Sequence, residues 1–332
     1  MNSFGRLFRI SIFGESHGEA MGIVVDGCPA GMPLEVEDFE TDLARRRSGA
    51  KGTTPRQEED VPELVSGVLN GATTGAPLAI LFRNQDVRSS DYVGTKATPR
   101  PGHADFVASV KFGGFQDRRG GGHFSGRLTV GLVAAGVVAK KALGDMDIRA
   151  RVIEAGGSAD IDKAVDRADE KDDSIGGIVE CTVNNMTAGL GEPFFNSLES
   201  QLAHIAFAIP AIKGLEFGSG FAAARMWGSE HNDNILDAAG TTETNHAGGI
   251  NGGISNGNEL VFRAAVKPAS SISQTQRTVN LETGKIADLR IEGRHDKCIA
   301  LRVPPVLEAA TAVVLADSML LEQEVRRIHR GS

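Results

Sequence analysis

The chain has 332 residues, of which 41% are apolar and 23% charged, and its formal net charge is −8. That length and apolar content are enough for a folded core and exclude general disorder. The acidic balance excludes a nucleic-acid binder that works through a broad basic surface. Cys28, Cys181 and Cys298 are widely spaced and odd in number, so they suggest neither a disulfide framework nor a zinc site and point to a reducing, cytoplasmic setting. No early segment reads as a signal peptide, and no stretch reads as apolar enough to cross a bilayer.

In chain order, Arg6 to Phe13 alternates polar and apolar residues and predicts a strand, as does Met21 to Val25. Glu35 to Arg47 predicts a helix, with acids in its first turns and three arginines in its last, as the helix dipole favours. The polar stretch Ser48 to Glu59 reads as a mobile loop. Two strands follow, Leu64 to Val68 and Pro77 to Phe82, around a turn at Asn70 to Gly75. Helices are expected at Ala104 to Lys111 and at Arg127 to Leu143, the second apolar on every side and therefore buried. Asp147 to Glu154 and Gly177 to Val183 read as strands, separated by an acidic stretch from Asp160 to Asp173 that reads as a solvated surface helix or loop. A helix at Leu198 to Phe207, strands at Lys213 to Phe217 and Leu260 to Val266, and a closing helix from Val306 to about His329 complete the pattern. With no linker and no short repeat, residues 1–332 read as one domain, and the irregular order of strands and helices gives an α+β class.

Chemistry concentrates in a few stretches. Arg100 to Asp105 (RPGHAD) and Asp117 to Arg127 (DRRGGGHFSGR) bring imidazoles, guanidiniums and a carboxylate next to glycines bare enough for an anion or a flat ring to lie on the backbone. Gly14 to Gly18 (GESHG) fits the nucleophile elbow of serine hydrolases at Ser16, although only about a dozen residues precede it where that fold needs earlier strands; the other functional reading makes His17 a general acid supported by Ser16. Arg45, Arg46 and Arg47, with Lys51 and Arg56 beyond them, form a candidate clamp for phosphate or carboxylate. The glycine-rich run Asn245 to Gly257 matches neither a dinucleotide fingerprint nor a P-loop. Lys267 to Ser271 (KPASS) places a lysine and two hydroxyls at a strand end, and Gly293 to Asp296 (GRHD) sets a carboxylate close to a guanidinium. An acidic protein with local basic clusters suggests a small anionic substrate.

These motifs, in this order and spacing from about Gly5 to the closing helix, resemble the chorismate synthase family. The resemblance implies a β-α-β sandwich assembled as a homotetramer, and the anti-1,4-elimination of phosphate from 5-enolpyruvylshikimate 3-phosphate to give chorismate. It implies dependence on reduced FMN, with NADPH as a reductant in some members, and no nucleic-acid or membrane partner. By position, His17 resembles the acid that protonates the departing phosphate, with Ser16 beside it. His103 resembles the histidine near flavin N1, and Asp296 the carboxylate that removes the ring proton with flavin N5. Ser125 is carried over as catalytic and as a flavin contact, together with contacts at His123, Phe124, Pro210, Ala211, Gly252, Lys267, Pro268, Ala269, Ser270, Ser271 and Arg294. Arg46, Lys51, Arg100 and Arg127 are expected around the substrate or NADP. Many relatives have Arg-Ser-Ser where this chain has His123-Phe124-Ser125, and arginine near Lys51 and Gly52. A serine hydrolase and a catalytically silent flavin binder are the alternatives.

Overall fold

The computed structural model describes residues 2–54, 58–85, 97–291 and 295–324. Strands β1 (Ser3–Phe4), β2 (Arg9–Gly14) and β3 (Ala20–Asp26) open the chain, and a 3-10 turn leads into helix α1 (Glu40–Arg46). Then come β4 (Glu63–Ser66), β5 (Val68–Leu69), β6 (Ala72–Thr73), β7 (Leu78–Arg83), α2 (Asp105–Phe112) and α3 (Thr129–Leu143). The second half carries β8 (Asp147–Ala155), α4 (Ile161–Glu170), β9 (Gly177–Asn184), α5 (Leu198–Ala206), β10 (Ile212–Phe217) and α6 (Gly228–His231). It closes with β11 (Ile250–Asn251), β12 (Ile254–Ser255), β13 (Leu260–Val266), β14 (Gln276–Val279), β15 (Ile286–Leu289) and α7 (Pro304–Glu324).

Two antiparallel sheets enclose a helical layer. The first runs β1-β2-β3-β7-β4 and the second β10-β13-β9-β8. Helices α3 and α7 pack against each other, α3 also covering β3 and α7 covering β8 and β9. The α+β class is therefore observed as sheet, helices, sheet. Every residue of α3 from Val130 to Ala139 is buried, as is every residue of α7 from Val306 to Asp317. A helix with apolar neighbours on both sides needs no polar face.

The expectation that no stretch could span a bilayer needs correction. Residues Pro304–Glu322 reach a mean hydropathy of 1.4, with 78% of that window buried inside the fold. Length and composition alone do not separate a span from a doubly covered core helix.

Other differences have local causes. The first long strand begins at Arg9 rather than Arg6, because the N–H groups of Arg6, Leu7 and Phe8 donate to the carboxylate of buried Asp317 instead of to a strand partner. The closing helix starts at Pro304, where a proline loses nothing because a first-turn N–H has no helical partner. Of the two forms expected for the acidic stretch after β8, the helix is the one observed: α4 is capped by Asp160 Oδ1 accepting from Lys163 N at 3.2 Å. The three cysteines are free and buried, and burial pushes the Cys181 thiol up to about 12.

Small residues let α3 and α7 approach. A Cβ built on Gly136 would lie 2.3 Å from Ala309 Cβ and 2.4 Å from its Cα. Gly136→Ala gains about 1 kcal/mol of helix propensity, but overpacking a dense core costs about 1–3 kcal/mol. The expected result is a net loss of stability, read as a lower urea midpoint at unchanged slope. A raised midpoint would show that the helices separate without cost.

Candidate active site

The first sheet delivers the Ser16-His17 pair. Gly14 ends β2 at φ +100, where a Cβ would meet Met21 Cα at 2.5 Å, so the chain can turn tightly there only with glycine. Asn84 Nδ2 ties the turn by donating to the carbonyls of Glu15 and Gly18 at 3.2 and 2.8 Å. His17 is 7% and Ser16 1% exposed, and Ser16 Oγ lies 3.1 Å from His17 Nδ1. Ser16 Oγ also donates to the Arg119 carbonyl at 3.3 Å, and Ser16 N to that of Gly122 at 3.1 Å. The glycine loop thus rests directly on the pair, and Gly120 makes that closeness possible. Its Cβ would come 2.3 Å from His17 Cε1 and 2.9 Å from Ser16 Oγ.

Arg100 joins three segments. Its N and Nε donate to Asp105 Oδ2 at 3.1 and 2.7 Å, and its Nη2 donates to Asp105 Oδ1 at 2.8 Å and to the Gly120 carbonyl at 2.7 Å. Nη1 reaches Ser271 Oγ at 3.2 Å. Lys267 Nζ and Ser270 Oγ donate to the Gly102 carbonyl at 2.6 and 2.8 Å. The RPGHAD loop, the glycine loop and the KPASS segment are in this way locked together. His103 Nδ1 lies 2.6 Å from Asp105 Oδ1, which holds its ring.

Burial would raise the Asp105 carboxyl, but hydrogen bonds from Arg100 and His103, with their charges, outweigh it and hold the group well below the usual carboxylate range. A depressed folded pKa contributes stability that is complete above the unfolded value of about 4 and is lost as pH falls through the folded one. Asp105→Asn is therefore expected to be less stable than the wild type at pH 5–7, with the gap closing below about pH 4. Thermal unfolding from pH 3 to 7 measures this, and a constant gap would contradict it.

Segments brought by both sheets and by the ends of α1 and α7 enclose a cavity of about 810 Å³, within the range of small-molecule sites. Its wall includes Ser16, His17, Arg46, Arg100, His103, His123, Phe124, Ser125, Arg127, Pro210, Ala211, the segment Lys267 to Ser271, and Asp296. Nearly all the residues expected from sequence converge here. Ser125 Oγ caps the turn before α3 by accepting from Arg127 N at 3.2 Å. His123 Nδ1 donates to the Gly14 carbonyl at 2.7 Å, and Phe124 packs on Phe112 with ring centroids 6.2 Å apart. Asp296 Oδ1 accepts from Thr54 N at 2.9 Å, while Oδ2 stands 3.5 Å from Arg302 Nη1.

Two expected residues are placed otherwise, and a third is not among those described. Lys51 pairs with Asp166 at 2.7 Å on the surface, away from the cavity wall. Gly252 and Gly253, at φ +60 and +89, form the two-residue turn between β11 and β12, a place that asks for glycines by itself; Gly252 does not line the cavity. Arg294 lies outside the described residues. Sequence reasoning missed Thr54, Asp60, His204 and His295, which also line the cavity. Of these, only His295, next to Asp296, lay inside a motif.

A family model described as chorismate synthase matches residues 8–320. A chorismate synthase of Chitinophaga pinensis is 61% identical over 332 residues, covering all of both chains. One from Dehalococcoides mccartyi is 45% identical over 359 aligned positions, covering 98% of this chain and 99% of that one. A solved structure described as a crystal structure of chorismate synthase superposes with a TM-score of 0.73 at 26% identity, covering 96% of this chain and 93% of the other.

Proposed function

The chain belongs to the chorismate synthase family, carbon–oxygen lyases that eliminate phosphate from 5-enolpyruvylshikimate 3-phosphate to give chorismate, and we propose that the 810 Å³ cavity is where this chain does so. The observation that carries the proposal is the convergence of His17, Asp296, Arg100 and Arg127 on one cavity from four separate segments. An elimination of this kind needs an acid for the departing phosphate, a base for the ring proton and fixed cations for an anionic substrate.

His17 is the acid. Ser16 gives its hydroxyl proton to the Arg119 carbonyl and can accept from His17 Nδ1–H, which fixes the orientation of the imidazole for proton exchange with the phosphate oxygen. Asp296 is the base, its orientation set by Thr54 N–H and Arg302. His103 is turned by Asp105, so that its second nitrogen is the one available to a ligand.

The residues present fit a flavin mononucleotide. Two of the residues in the wall, Arg47 and His295, each carry a buried nitrogen with no hydrogen-bond partner among the described residues, and the backbone at Gly126 opens onto empty space. His123, Phe124, Ser125, Pro210, Ala211 and Lys267 to Ser271 would hold it. Bound reduced FMN supplies electron density that assists C–O cleavage and is regained, with no net redox change. We further propose a homotetramer working in the cytoplasm on this small-molecule substrate, without nucleic-acid or membrane partners. The exposed side chains of Phe194, Phe195, Phe221 and Trp227 favour self-association, which light scattering checks.

The deciding assay is anaerobic: protein, 5-enolpyruvylshikimate 3-phosphate and chemically reduced FMN, with chorismate absorbance and phosphate release followed together. Equal release that needs reduced flavin is expected. Adding NADPH with oxidised FMN tests for a flavin reductase activity. Labelling of Ser16 by a phosphonylating probe, with no flavin requirement, would instead favour a hydrolase.

A further inference from the structure

Asp60 lies in the polar loop between α1 and β4, is 4% exposed and has φ +53. Aspartate and asparagine both tolerate that backbone, so the turn alone does not call for a charge. The carboxylate has two guanidinium partners. Oδ2 accepts from Arg46 Nη1 at 3.0 Å, and Oδ1 accepts from Arg127 Nη1.

The two arginines differ in what remains to them. Arg46 donates from Nε to Thr129 Oγ1 at 3.1 Å and from Nη2 to the carbonyls of Gly126 and Arg127 at 3.2 and 2.9 Å. Its guanidinium braces the turn that starts α3, the same turn that carries Ser125 and Arg127. Arg127 donates from Nε to Asn84 Oδ1 at 3.3 Å, and its Nη2 is buried with no hydrogen-bond partner among the described residues. Glu58 Oε2, at 3.9 Å, is beyond hydrogen-bond reach.

We infer that Asp60 is a positioning residue for the reaction. It holds Arg127 by Nη1 so that Nη2 is the nitrogen left for an anionic group of the substrate, and it commits Arg46 to the brace. This rests on the reading of the cavity as the substrate site. A planar guanidinium held at Nε and Nη1 cannot rotate, so its remaining N–H groups are aimed before the substrate arrives.

The test is a double-mutant cycle between Asp60→Asn and Arg127→Ala in FMN-loaded protein. The dissociation constant of 5-enolpyruvylshikimate 3-phosphate is measured by calorimetry with the flavin left oxidised, beside that of FMN. Asp60→Asn is expected to weaken substrate binding by about 10- to 100-fold and to leave FMN affinity within about twofold. On the Arg127→Ala background it should add little. Equal losses for substrate and FMN, or full additivity with Arg127→Ala, would overturn the positioning role alone. No loss in Arg127→Ala itself would overturn the substrate role of Arg127, and the inference with it. If the Asn variant does not fold, Asp60→Glu keeps the charge and displaces it by one methylene. It should bind FMN normally and substrate more weakly, and wild-type substrate affinity in that variant would reduce Asp60 to a structural role.

Discussion

Asp296→Asn should lower turnover by about 10²–10⁴-fold, the usual cost of losing a positioned base, while substrate and FMN still bind. The amide keeps the size of the carboxylate and can still accept from Thr54 N–H through its carbonyl oxygen, so the loop before α7 retains its anchor. What disappears is the ability to take a proton. Single-turnover kinetics under anaerobic conditions separate the two effects, because binding amplitudes should persist while phosphate release slows. Deuterium in the substrate adds a check: if proton removal has become limiting, substrate deuterated at the transferred position should show a larger isotope effect in the variant. Turnover within a few-fold of the wild type would remove Asp296 from the chemistry.

The second large effect is expected at a residue with no side chain. Gly120 has φ +65, and a Cβ there would fall 2.3 Å from His17 Cε1 and 2.5 Å from Nδ1. His17 and Ser16 are buried, so neither can swing into solvent to make room. The backbone penalty of a non-glycine residue at this φ adds to the steric one. Gly120→Ala should therefore displace the imidazole by an appreciable fraction of an ångström, and a shift of that order costs about 10² in rate. Because Gly120 also presents its carbonyl to Arg100, FMN affinity serves as the control. Preserved flavin binding with collapsed turnover is the expected pattern. Normal turnover would show that the glycine loop does not rest on His17 during the reaction.

The site was legible to different depths in different places. His17, Arg100, His103, Asp296 and the KPASS segment stood in short dense motifs, and the fold carries each of them to the cavity. Gly252 stood in an equally dense motif, yet its glycines are explained by a hairpin turn, since backbone conformation alone can demand glycine. Asp60 is the reverse case, a residue of the cavity wall that no motif marked. It lies among other acids in a polar loop, and its two guanidinium partners are 14 residues before it and 67 after it, separations at which no local pattern survives.

Periodicity, turn chemistry and composition by themselves determined most elements, the α+β class and the buried character of α3, while the family resemblance rested on the short motifs in their order and spacing. They did so because helix and strand patterns are written in neighbouring residues. Tertiary structure alone decided that a span-like helix is a core helix, that Asp317 and not a strand partner takes the N–H groups of residues 6–8, and which arginine of a run faces inward to a carboxylate. Those outcomes depend on contacts between distant segments, where burial leaves each polar group only the partners that the fold brings within hydrogen-bond reach.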